Sequence, residues 1–276
     1  MALLNQTARS AAVAFVLLSL AGPTPEAAAL QWQIKISYAE PADAHLRPIY
    51  ERLKQRAVLE ELQLFLAPLR LPGELTIRTA QCDATTLRHR PQGTATVCYE
   101  MIDAIESLVT KFTKDQDFAQ TVIIGAFIQT VLHETARAIF DILEVPVWGR
   151  EKDAADRLAA LIMTQFGEDV SRTTIVGTAS LFMWSDKAWT GSDFSDTGSP
   201  DYQRFYNYVC IAFAAAPLQF GDLVDKGILP KRRAARCQDE YEQVRKAFDL
   251  RIMPYVDANL LIKARATPWL TWAPAK

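Results

Sequence analysis

Within Val131-Leu-His-Glu-Thr-Ala-Arg137 a histidine and a glutamate stand side by side in an otherwise apolar stretch. An imidazole nitrogen can ligate a divalent metal, and a neighbouring carboxylate can take a proton from a metal-bound water. That chemistry needs a second imidazole four residues on, because only residues i and i+4 share a helical face closely enough to reach one ion. Position 137 is an arginine, and a guanidinium does not give up its proton to become a ligand. The chain has three histidines, His45, His89 and His133, no two within a helical turn of each other. A paired-histidine helical metal site is therefore excluded by composition. His45 and His89 lie in polar surroundings and read as solvated surface groups. Serine catalysis lacks support, since no G-x-S-x-G occurs and His133 is the one candidate base.

The elements that would carry these residues can be read from periodicity. Residues 30–38 alternate, with Leu30, Trp32, Ile34, Ile36 and Tyr38 on one face, the pattern of a half-buried strand. Residues 47–69 show helical spacing, Pro72-Gly73 breaks it, and strands are expected at 75–79 and 94–99, joined by a polar loop. From residue 100 the chain reads as mostly helix. Helices are expected over 100–113, 117–143, 150–166, 201–216 and 232–250, with a break at 144–149 and a Ser/Gly/Asp-rich loop over 189–200. The helix at 117–143 is apolar on most sides, so it should be central and buried, where a charged Glu134 calls for a partner. The expected architecture is a single α+β domain, a small sheet packed against a mainly helical body.

With 50% hydrophobic and 10% aromatic residues among 276, the composition is that of a folded globular protein. A formal net charge of −2 offers no basic excess for neutralising phosphates, which argues against nucleic acid as a partner. The basic cluster Lys231-Arg-Arg-Ala-Ala-Arg236 reads as a solvated helix start balanced by Asp239, Glu240 and Glu242. Near the beginning, Arg9 precedes the apolar run Ala11–Ala21, then Gly22-Pro-Thr-Pro25 and the small residues Ala27–Ala29. That run is too short for a bilayer core, which takes about 20 apolar residues. Residues 1–29 therefore read as a cleaved secretory leader, leaving residues 30–276 as the domain, with no membrane span after cleavage. Cys82, Cys98, Cys210 and Cys237 agree with export as structural disulfides, for which three pairings are open. The local pairing would close loops worth about 3 kcal/mol each. No C-x-x-C occurs, so a zinc ribbon is excluded.

One longer pattern joins these fragments. His133-Glu134, Ala138 and Phe140 are followed by Val145-Pro-Val147, Gly149-Arg-Glu151 and Asp153-Ala-Ala-Asp156. Further along come Gln203-Arg-Phe-Tyr-Asn207, Cys210, Leu229-Pro230, Arg236-Cys237 and Glu240-Tyr241, with Cys98-Tyr-Glu100 upstream. From about Leu30 to Val256 the chain resembles the putative zinc metallopeptidase family of bacterial exported proteins, a gluzincin-like group whose members read H-E-L-G-H-A-x-F and then L-P-V-x-G-R-E-E-D-A-A-D. The resemblance implies a zincin-like fold and a zinc held by two histidines and the glutamate of an E-x-x-A-D pattern. Glu134 then stands as a vestigial general base and His133 as a vestigial ligand. Arg137 occupies the second histidine's position and Lys152 the glutamate's, while Asp156 stands where a supporting partner of the first histidine is expected. Near Asp196-Thr-Gly-Ser199 a D-E-H-S-like segment is expected in relatives, and its histidine is missing here.

Arg137, Lys152 and Glu134 sum to one positive charge, and a divalent ion would raise that to three in a poorly solvated helix interface. The expectation is a degenerate site without zinc or other cofactor, in which the two cations neutralise Glu134 and the former substrate cleft holds a peptide or protein partner. The alternative is an active zinc-dependent metallopeptidase with a rearranged site around His133 and Glu134 that recruits Glu151 or Asp153. Either would be an exported protein, periplasmic or secreted.

Overall fold

A computed structural model describes residues 34–83, 91–188 and 198–269. The expected leader, the first residues of the expected strand, His89 and most of the 189–200 loop lie outside them.

The architecture is the α+β arrangement expected, three strands on a helical body. Strands β1 (Ile34–Tyr38), β2 (Leu75–Ala80) and β3 (Thr94–Cys98) lie in that order and are parallel, with Ile34 opposite Leu75 and Thr76 opposite Thr94. The alternation read from the sequence shows in Ile34, Leu75, Ile77, Ala95 and Val97, all buried. Because β2 and β3 are parallel, the loop between them is a crossover rather than a hairpin turn.

Two helices, α1 (Arg47–Gln55) and α2 (Val58–Leu66), replace the single one expected over 47–69. The break is at Ala57, whose φ of 49° is left-handed. Its cause lies in β1, where the Tyr38 hydroxyl accepts from the Leu59 amide at 2.7 Å and donates to Glu60 at 2.6 Å. Tyr38 thus satisfies an amide that a new helix start leaves open, which fixes where α2 begins.

After β3 come α3 (Tyr99–Phe112) and α4 (Gln116–Ile142), the latter capped by the Asp115 carboxylate on the amides of Asp117 and Phe118. By length and apolarity α4 could cross a bilayer, yet 83% of its most apolar window is buried inside the protein, where it packs against β2 and β3 on one side and helices on others. Then follow α5 (Glu151–Met163), α6 (Glu168–Ala188), α7 (Asp201–Ala215), α8 (Cys237–Arg251) and α9 (Ala258–Ala266), with short helical turns between α7 and α8. The helix expected over 232–250 is thus a single turn, Lys231–Ala234, followed by α8.

Neither α6 nor α9 was legible from periodicity. In α6 the buried positions include Ser171, Thr174 and Thr178. Their hydroxyls donate to main-chain carbonyls, Thr174 to Val170 of its own helix at 2.8 Å, Ser171 to Met163 of α5 at 2.8 Å and Thr178 to Gly125 of α4 at 2.9 Å, so polar residue types occupy the inward stripe. The α4–α6 crossing is also very close. A Cβ on Gly125 would stand 2.6 Å from the Thr174 carbonyl oxygen, so only glycine fits.

Both local disulfides form. Cys82–Cys98 ties the ends of β2 and β3, and Cys210–Cys237 ties α7 to α8. Beyond α8 the chain returns to the N-terminal half, with the Arg70 amide donating to Tyr255 at 2.6 Å and Trp269 meeting Phe65 edge-to-face at 5.1 Å.

Candidate functional site

Helix α4 carries His133, Glu134 and Arg137, and α5 carries Glu151, Lys152, Asp153 and Asp156. The link between them makes two left-handed turns, at Glu144 (φ 46°) and Gly149 (φ 103°). At Gly149 nothing lies within 4 Å of where a Cβ would be, so the glycine answers a dihedral requirement and not crowding. Arg150 and Asp153 then fix the start of α5. Arg150 donates to the Gly198 carbonyl at 2.9 Å, and Asp153 accepts from the Ser199 amide at 3.0 Å and its hydroxyl at 2.6 Å.

The centre of the cluster is Asp156, whose carboxylate is fully enclosed. One oxygen lies 2.7 Å from His133 Nδ1 and accepts from Gln129 at 3.2 Å and Tyr208 at 3.3 Å. Arg204, from α7, donates its Nε to the other oxygen at 2.7 Å and a terminal nitrogen to the first at 3.1 Å. Burial alone would raise the Asp156 carboxyl, but the Arg204 charge and the His133 hydrogen bond outweigh it and hold the group well below the usual carboxylate range. The Tyr208 hydroxyl is pushed up, by burial first and by the Asp156 charge second.

This arrangement fixes the imidazole. Nδ1 faces the ionised Asp156 carboxylate, which needs a donor there, and Nε2 lies 3.9 Å from a Glu134 oxygen. His133, Glu134, Lys152 and Arg204 form the polar end of a cavity of about 290 Å³, whose other walls include Ile105, Leu108, Leu181 and Phe182.

Arg137 lies one turn after Glu134 and spans to α5. One of its terminal nitrogens stands 3.3 and 3.4 Å from the Glu134 oxygens, and its Nε donates to Glu151 at 2.8 Å. Burial opposes its charge, but the two carboxylates raise the guanidinium's pKa above the ordinary arginine value. Thus Glu134, Arg137 and Glu151 form a carboxylate–guanidinium–carboxylate chain joining the two helices.

A zinc ion does not fit this donor set. Toward the cavity it offers one imidazole nitrogen and two carboxylates, Glu134 and Asp201, each already paired with an arginine, with a lysine beside them. Among the described residues, the donor atoms gathered as a metal site would gather them belong to Cys82, Cys98 and Glu100, and those two sulfurs are bonded to each other. Asp153 is engaged by Ser199 and Glu151 by Arg137, so each of the carboxylates considered as substitute ligands already has a partner.

His133, Glu134, Arg137, Lys152 and Asp156 are thus gathered at one helix interface. His45 stands apart, exposed, 3.1 Å from Asp103. Sequence reasoning missed Gln129, Arg204 and Tyr208. The signal available was that a carboxylate on the inward stripe of α5 needs a buried cation, and the run Gln203–Asn207 carries one.

No curated protein and no solved structure matches the chain. The sequence model of one family, described as "Putative metallopeptidase", matches residues 38–250, which takes in strands β2 and β3, the α4–α5 pair, the Asp156 cluster and both disulfides. By that match, over most of its length, the chain belongs to this metallopeptidase family.

Proposed function

We propose that this member of the family is a pseudoenzyme, an exported, metal-free protein whose former catalytic cleft holds a peptide or protein segment without cutting it. The observation that carries the reading is the Arg137 bridge. The carboxylate that would draw a proton from water is instead paired with a guanidinium that cannot lose its own proton. Lys152 also lines that cavity, where the family resemblance implies a ligand carboxylate, so a protonated amine stands in place of a donor oxygen.

The rest of the cluster favours retention of shape over chemistry. Arg204 donates to both oxygens of Asp156, and Asp153 anchors the segment at Ser199. The cavity keeps apolar walls around its polar end, the kind of surface that takes an apolar side chain of an extended segment. Two disulfides suit an oxidising compartment, which supports export.

The test uses the mature protein with zinc supplied in excess, assayed against a mixture of unstructured peptides. Peptide retention without cleavage, and a melting temperature indifferent to a chelator, are expected. Chelator-sensitive cleavage that is lost in Glu134→Gln would overturn the reading and establish the rearranged zinc site around His133 and Glu134 in its place.

A further inference from the structure

A second cavity, of about 310 Å³, shares no residue with the one at His133. It lies between α2, the C-terminal parts of α4 and α5, and the late helices α8 and α9. Its deep walls include Leu66, Ile139, Leu158 and Leu161, all buried, and the half-buried Phe248 of α8 covers it. Such walls offer water almost no hydrogen-bond partners, so the space suits hydrocarbon.

The charged residues in the lining are Arg245, Asp249 and Arg265, all exposed, so they mark the mouth. Arg245 and Asp249 neutralise each other at 2.9 Å. Arg265 differs. It donates to the neutral Gln165 side-chain oxygen at 2.9 Å, and among the described residues no carboxylate pairs with it. An apolar interior therefore opens past one uncompensated guanidinium, whose planar fork matches a carboxylate.

We propose that this cavity binds a medium-chain fatty carboxylate, with the alkyl chain in the apolar interior and the carboxylate on Arg265. At about 30 Å³ per water-sized group, the space takes a chain of on the order of ten carbons. A neutral amphiphile would leave the guanidinium unmatched, and a cationic one would be repelled by it. The proposal is independent of whether the His133 site holds metal.

Calorimetric titration of the mature protein with octanoate, decanoate, dodecanoate and decanol tests it. Saturable binding is expected, strengthening by about fourfold per added methylene until the cavity is full. Decanol should bind at least about tenfold more weakly than decanoate, and Arg265→Gln should abolish that difference while leaving decanol binding unchanged. Leu161→Trp, which fills the interior, should remove binding of both. Absence of saturable binding, affinity independent of chain length, or equal binding of acid and alcohol would each overturn the proposal, and none requires a variant to fold. A dimer that decanoate dissociates would also overturn it, by marking the face as an interface between two copies of the chain.

Discussion

The Arg137 guanidinium stands 3.3 Å from the Glu134 carboxylate, one helical turn along α4. The pair is partly buried, so its charges are screened less than those of a surface pair. It converts the most reactive-looking dipeptide of the sequence, His133-Glu134, into part of a structural ion-pair chain that continues to Glu151 on α5.

A double-mutant cycle on that pair should reveal its coupling. Arg137→Ala is expected to destabilise by roughly 1–3 kcal/mol, because it leaves two carboxylates facing each other with no cation between. In a Glu134→Gln background the loss should be smaller, by about 1 kcal/mol. Urea denaturation of the four proteins measures both. Strictly additive losses would mean that the contact carries no energy.

Asp156→Asn should be more damaging, by roughly 2–4 kcal/mol, because it removes the closer of the two carboxylates that neutralise the Arg204 charge and leaves Asp201, at 3.3 Å, as its remaining partner. Thermal unfolding with circular dichroism reads the effect. A loss under about 1 kcal/mol would show that Asp201 or water neutralises Arg204 without Asp156.

Acid should unfold the protein partly through the same residue. The Asp156 carboxyl is held below its unfolded value of about 3.9. Its ionisation therefore favours the folded state at all pH values above that, and the stabilisation is lost as pH falls from about 4 toward the lower folded value. Asp156→Asn should flatten the dependence of stability on pH below about 4 relative to wild type. Equal slopes would assign acid unfolding to other carboxylates.

The Gly125 position gives a packing test away from the site. Gly125→Ala should destabilise by roughly 1–3 kcal/mol, although alanine is the better helix former. Its Cβ would meet the Thr174 carbonyl oxygen at 2.6 Å. Unchanged or raised stability would mean that α4 and α6 can separate freely.

How much of this was legible in the sequence follows from what each signal encodes. Strands and the buried helix α4 were legible because alternation and all-round apolarity are properties of single segments. The break at Ala57 was not, since it is imposed by the Tyr38 hydroxyl, which comes from a strand and bonds an amide 21 residues further along the chain. Helix α6 escaped because hydroxyls bonded to main-chain carbonyls, of Val170 in its own helix, Met163 in α5 and Gly125 in α4, fill an inward stripe where periodicity looks for aliphatic side chains. At the site, spacing identified residues on one helix turn, Glu134 with Arg137, while the partners of Asp156 came from α4 and α7 and needed the tertiary structure. Glu151 was legible as a carboxylate near the site, but its role as the far end of the Arg137 bridge was not.

If positions 137 and 152 are the ligand positions that the resemblance implies, restoring ligand side chains there should restore zinc binding. Arg137→His with Lys152→Glu is expected to create a chelator-sensitive rise in melting temperature in the presence of zinc, with each single change insufficient. A doubly substituted protein that folds and yet ignores zinc would mean that these are not the ligand positions.

The most direct measurement is the zinc content of the unmodified mature protein, by elemental analysis after exposure to excess zinc and removal of free metal. With Glu134 engaged by Arg137 and no ligand side chain at positions 137 and 152, we expect far less than one zinc per chain. A content of about one zinc per chain, released together with a fall in melting temperature when a chelator is added, would contradict the metal-free reading.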